Sequence, residues 1–301
     1  MEKTAAETPR QIANAHTIFN VVNTIVFLPF AGQFARIVEY LLPDKEEEAV
    51  TDVTRREWTT IHLDPDLFAV PSIALEQTRG EIARIAGMVR GIVADIVPAF
   101  ISNHVSVGDD ILKRQDEVEY VAEEIDNYLL EISRRPLNQE QSSFGTQLMN
   151  IATDLEHIND LVRRDLVPLL RRKGEAGIDF SDEGNEQLRG YHRGVLRNFE
   201  TVMQAFERNS PEEARQVIRS REALTDLGHR YEMTHFGEMG SVQEASREVN
   251  HLYLDVADYL QRINSYAETI AYTMLEGYLD TRGGERKKGG PQPSAATQQQ
   301  S

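Results

Sequence analysis

Glu156 and Asp160 stand four residues apart in the third of six segments with helical period. On one helix face their carboxylates can converge on a single cation. Glu123 and Asp126, on the preceding segment, are the carboxylates that could face them. An all-oxygen ligand set of this kind suits a hard cation or iron better than a soft metal. The competing interpretation is ordinary, because the chain has 49 acidic residues and a solvated face explains any such pair. His157 lies beside them but one residue along a helix turns about 100° away, which makes it a surface histidine before a ligand. His229, His235 and His251 show no ligand spacing within one helix.

A second set of polar groups sits in an unusual setting. Between Arg10 and Arg36 the chain carries no formal charge, and His16, Asn20 and Asn23 fall inside that stretch. A helix of about 25 residues there would run roughly 37 Å, enough to cross a hydrocarbon core of about 30 Å with tilt. Its apolar heart, 18–30, is interrupted by Asn20, Asn23 and Pro29. Amides in a membrane helix must face protein or water, so these three residues either line a transport path or join helix to helix. A buried amphipathic helix of a soluble domain is the alternative. A cleaved signal peptide fits less well, since residues 1–10 mix acids with bases and no small-residue cleavage site follows.

Other chemistries are excluded by what the sequence lacks. It has no phosphate-cradling glycine loop, no nucleophile elbow and no metal-hydrolase helix motif, so an enzyme is not expected. It has no cysteine, which removes disulfides, thiolate metal sites and cysteine nucleophiles. A formal net charge of −17 argues against nucleic acid, which requires a basic face to displace counterions.

The elements that must position these residues are all helical. Residues 43–71 read as a linker, with PDKEEE, the lone Trp58 and prolines at 65 and 71. The first segment beyond it, about 72–103, places Ile82, Ile85, Val89, Ile92, Ile96 and Phe100 on one face, and the second, about 109–134, does so with Val118, Val121, Ile125, Leu129 and Ile132. The third, about 138–172, carries Leu148, Ile151, Leu155, Ile158, Val162, Leu166 and Leu169 and ends in basic residues and Gly174. The fourth, about 183–208, follows Ser181 as N-cap. The fifth opens with a capping box at Ser210-Pro211-Glu212-Glu213, and the sixth opens with another at Ser241-Val242-Gln243-Glu244 and runs to about 279. Ala99-Phe100 with Asn103 recurs as Ala205-Phe206 with Asn209, and Leu155-x-x-Ile158-Asn159 as Leu260-x-x-Ile263-Asn264. Consistent spacing and equal helix order predict a duplicated three-helix unit, 72–173 and 181–280. The duplicate puts Gln261 and Ser265 where Glu156 and Asp160 sit, so at most one carboxylate site is intact. Residues 281–301 have nothing apolar enough to pack and are expected to be disordered.

Two stretches resemble known families. Asp154-Leu155-Glu156-His157-Ile158-Asn159-Asp160 resembles the D-L-E-R-I-G-D signature of PhoU proteins, whose fold is two tandem three-helix bundles. The run from Ile12 through His16, Phe19-Asn20 and Leu28-Pro29 resembles the last membrane helix of the sodium/phosphate cotransporter family, whose bacterial type carries a PhoU-like domain after that helix. The resemblance implies an all-α chain with one membrane helix (1–42) ahead of two PhoU-like bundles (72–280). It implies a PhoU-like cytoplasmic domain modulating sodium-dependent phosphate transport at the cell inner membrane, with residues 43–301 on the cytoplasmic side. Its partners would be the membrane, the transporter's transmembrane domain in the same or a separate chain, phosphate, and a second copy as a homodimer. PhoU proteins use E/D-x-x-x-D motifs to bind metal, which implies a metal ion at Glu156, Asp160, Glu123 and Asp126; sodium belongs to an intact transporter. The family's inverted transport repeats are not in this chain, so the expectation is a truncated or split reading frame or one subunit of a split transporter. The alternative is a freestanding soluble PhoU-like metal-binding phosphate-signalling regulator or adaptor that docks on a partner through residues 11–35.

Overall fold

The structure, a computed structural model, describes residues 58–238 and 244–288, with side chains described for 58–231, 233 and 248–276. The expected membrane helix with His16, Asn20 and Asn23, the Ser241 cap and the end of the tail lie outside the described residues. The chain divides into two compact units, 1–57 and 58–301, and the described residues all belong to the second.

Apart from a short 3-10 turn at Pro65–Ala69, every regular element described is helical: α1 (Pro71–Ser102), α2 (Ser106–Ser133), α3 (Gln139–Leu161), α4 (Val167–Glu175), α5 (Asp182–Arg208), α6 (Pro211–Glu238) and α7 (Glu244–Lys288). A π-helical turn, Val162–Leu166, joins α3 to α4, so the predicted third helix is one rod with a widened turn. Its cause is legible in Pro168, which has no N–H to continue i→i−4 bonding. Upstream of it the Val167 N–H reaches back five residues to the Val162 carbonyl.

The first bundle packs α1 with α2 and α3, and the second packs α7 with α5 and α6. The bundles join through α1 against α5 and α3 against α7. Every apolar residue that the period assigned to the inner faces of α1 and α2 is buried. At roughly 1.5–3 kcal/mol per buried aliphatic or aromatic side chain, these stripes are the main source of stability, and single truncations there leave cavities. α1 is the one described helix long and apolar enough to cross a membrane. Its buried apolar residues from Leu75 to Phe100 form the centre of the core.

The duplication extends to the caps and to a charge pair. Asn103 and Asn209, 106 positions apart, are both left-handed (φ 54° and 50°). After each, the next N–H, of His104 and Ser210, reaches back to the Ala99 and Ala205 carbonyls. Asp116 pairs with Arg163 at 2.6 Å, and 105 positions on Arg221 pairs with Glu268 at 3.3 Å. The duplicated contact survives with its charges exchanged.

Caps only partly match expectation. Ser210 Oγ accepts from the Glu213 N–H at 3.4 Å, but Glu213 turns its carboxylate to Arg208 at 3.0 Å and leaves that box open. A closed box stands at α3, where Asn138 and Gln141 bond each other's main chain. Residues 58–70, assigned to the linker, lie docked on the first bundle. Glu81, fully buried on α1, accepts the main-chain N–H groups of Ile61 (3.2 Å) and His62 (2.9 Å) and pairs with Arg84 at 2.7 Å. Arg84 also holds the Thr59 carbonyl, Tyr128 donates to the Asp64 carbonyl, and Phe68 packs on the Tyr128 ring.

Candidate functional site: a carboxylate face on the first repeat

The signature stretch forms the last turns of α3, just before the π turn. Leu155 and Ile158 point into the core, and this fixes the opposite assignments: Glu156 and Asp160 are half-buried on the flank facing α2, and His157 is exposed. As expected of a surface histidine, His157 faces away from the carboxylates, with its ring centroid 5.2 Å from that of Tyr266 on α7.

The face has a strongly negative potential. Burial, then the charges of Asp126, Asp160 and Glu119, push the Glu156 carboxyl up to about 7. Burial also raises Asp126. The sequence named Asp126 but not Glu119, and Glu123 is not among the charges acting on Glu156. Helix geometry explains the exchange, since Glu119 and Asp126 are seven residues, or about two turns, apart and nearly aligned, and Glu123 stands about 40–60° off that line. An i, i+7 search would have found Glu119.

Basic residues from the π turn close off part of the face. Arg163 holds Asp116 at 2.6 Å and Glu119 at 3.3 Å, and Arg164 holds Asp160 at 3.3 Å. Among the described residues no three carboxylate or imidazole groups converge to hold a metal ion. Glu156 and Asp160 share a face, as the spacing implied, but with Glu123 and Asp126 they do not form a coordination shell as they stand.

Sequence reasoning passed over a buried layer beneath this face. Asp154 is 8% exposed, its Oδ2 has no donor among the described residues, and burial pushes it up to about 6 against the opposing effect of His157. Gln115 donates to the Asn159 carbonyl at 2.7 Å, and this leaves Gln115 Oε1 and Asn159 Oδ1 as buried acceptors without donors. In the second repeat the counterpart Asn264 is satisfied on both sides, accepting from Asn198 at 2.9 Å and donating to Glu268 at 2.7 Å. The repeats have diverged here: one keeps an acidic, under-satisfied face and the other a closed polar network.

Comparison with known proteins agrees with this architecture. A family model described as the PhoU domain matches residues 82–164 and again residues 188–274, one match in each repeat. Among curated proteins, the chain is 25% identical over 266 residues to the "Putative inorganic phosphate export protein YjbB" of Escherichia coli (strain K12), covering 87% of this chain and 47% of that protein. The protein of the same name from Salmonella typhimurium is 25% identical over 263 residues with the same coverage, so the chain spans about half the length of the curated relatives it matches. Among solved structures, PhoU from Pseudomonas aeruginosa superposes with a TM-score of 0.64 at 18% identity, covering 68% of this chain and 97% of that one. The phosphate transport system regulatory protein PhoU from Streptococcus pneumoniae gives 0.62 at 16% identity, covering 70% and 97%. These structural likenesses establish the fold. With the family model matched over more than half of its length, once in each bundle, the chain belongs to the PhoU domain family.

Proposed function

We propose that this chain is a regulatory portion of a phosphate transport system, in which the duplicated helical domain acts on a membrane protein that moves phosphate. The observation that carries the reading is the family match falling on both three-helix units. The relatives named for phosphate export support a transport setting, because the chain aligns along nearly half their length. In the finer form of the proposal, residues 11–35 anchor the chain in the inner membrane beside the transport path. The domain then lies on the cytoplasmic side and the phosphate movement is sodium-coupled. The docked segment 58–70 supports mechanical coupling, since Glu81 and Tyr128 fix it to the first bundle.

A cation at the carboxylate face is a separable part of this reading. It would require Glu119, Asp126, Glu156 and Asp160 to draw closer than they stand and Asp160 to leave Arg164. Calorimetric titration with iron or manganese decides it. For the transport reading, the test is phosphate flux in cells lacking the chain, with and without sodium, paired with membrane fractionation. Altered flux and detergent-dependent extraction are expected. Unchanged flux would refute regulation of transport, and recovery in the soluble fraction would favour a freestanding adaptor.

A further inference from the structure

The duplication brings together two equivalent ends of the molecule that are finished differently. At the end of α1, Asn103 is the hub of a plug made by the chain itself. Its Nδ2 donates to the Ile178 carbonyl (3.3 Å) and to Asp179 Oδ1 (2.6 Å), and its Oδ1 accepts from the almost completely buried Lys173 ammonium. Phe180 closes the site, edge-on to Tyr253 at 5.6 Å and beneath Lys173 Nζ at 4.9 Å. Residues 173–180 therefore seal the gap between the bundles with an apolar pair, a carboxylate and a cation.

At the equivalent end of α5, Asn209 has the same left-handed backbone and the same capping bond, yet its side chain makes no hydrogen bond among the described residues. Beside it lies a cavity of about 380 Å³ between the bundles. Leu75, Phe144, Phe206 and Met274 supply its apolar lining, and Gln147, Arg79 and the acidic Glu76 and Glu140 stand around them. Phe206 and Asn209 are the counterparts of Phe100 and Asn103, so this is the plugged site without its plug. The reason is visible in the chain path. α4 stops at Glu175 and the chain turns back through Gly177 (φ 62°), whereas α7 runs on as helix to Lys288.

We propose that this cavity is a docking site for an extended peptide of a partner protein with the chemistry of the chain's own plug. A bulky apolar side chain would enter among Leu75, Phe144, Phe206 and Met274. The adjacent carboxylate and a main-chain carbonyl would accept from Asn209 Nδ2, and a basic residue would face Asn209 Oδ1 with Glu140, Glu76 being held by Arg79 at 2.6 Å. The volume falls at the lower end of the roughly 300–1,000 Å³ range of small-ligand sites, room for one or two side chains. Left-handed Asn209 is already oriented as Asn103 is, so binding needs no backbone change at the hub.

The test is fluorescence anisotropy of a labelled synthetic nonapeptide with the sequence of residues 173–181, titrated with the full chain. Saturable binding with a Kd below about 1 mM is expected. Asn209→Gly keeps the backbone conformation and removes the amide, and should weaken binding about tenfold. Ser143→Trp fills the cavity and should abolish binding, as should a peptide carrying Phe180→Ala. No saturable binding, or an affinity unchanged in both folded variants, overturns the proposal. Tighter binding to a chain ending at Lys288 than to the full chain also overturns it, by showing that the chain's own tail is the occupant.

Discussion

Glu81→Ala tests whether the segment ahead of the bundles is part of the folded domain. The carboxylate is fully buried and takes three charge-assisted bonds, from the Ile61 and His62 main chain and from the Arg84 side chain. At about 1.5 kcal/mol each, the low end for bonds to a charged group, their loss amounts to about 4–5 kcal/mol. Ile61 and His62 are exposed, so water replaces part of what is lost, and Arg84 keeps Glu117 at 3.5 Å. The expected net destabilisation is about 3 kcal/mol, within the usual cost of removing one partner of a buried ion pair. Urea denaturation measures it, and hydrogen exchange locates it. Amides of residues 58–64 should lose protection in the variant before those of α2 and α3. Glu81→Gln should fall between, because its carbonyl can still accept from the strap while its amide opposes the Arg84 donors. A loss below about 1 kcal/mol with strap protection unchanged would refute the latch.

Three further outcomes follow from the charges. His192 is 5% exposed, contacts the Val93 carbonyl across the bundle interface at 2.8 Å, and is held below its ordinary 6.5 by burial. The unfolded chain therefore binds the extra proton first, and urea midpoints should fall as pH drops below about 6.5, with a smaller drop in His192→Gln. Glu156, raised from 4.5 to about 7, works the other way: its ionisation opposes folding increasingly as pH rises from 4.5 to about 7. In chelator, Glu156→Gln should stabilise by about 1 kcal/mol at pH 8, discounted for partial exposure, and by little at pH 4, as read by thermal melts. Exchanging the charges of Asp116 and Arg163, to give the first repeat the polarity of Arg221 and Glu268, should restore only part of the stability that either single reversal loses, because Glu119, 3.3 Å from Arg163, would then face a like charge. A double-mutant cycle with no coupling would show that the duplicated pair contributes nothing.

The helices were legible because their cores are periodic. Ile82 to Phe100 and Leu188 to Phe206 repeat at helical spacing, and burial follows spacing when one face must leave water. The duplication was legible too, since Asn103 and Asn209 are conspicuous where each helix must stop. The pairing of Glu156 with Asp160 followed from four-residue spacing alone. What no spacing within one helix could reveal was which face of α2 meets α3. That packing decided that Glu119 and Asp126, more than Glu123, bear on Glu156. Likewise, Pro65 and Pro71 mark a break in helix, but only the buried carboxylate of Glu81, twenty residues from Ile61, turns the linker's end into a docked strap. The sequence by itself determined the local periods and the repeat, because these depend on the order and spacing of residues along the chain. Tertiary structure alone decided that Phe180 plugs one end of the duplicated core while a cavity stands beside Asn209 at the other, because that depends on how the chain leaves each third helix, turning at Gly177 after the first and continuing as helix to Lys288 after the second.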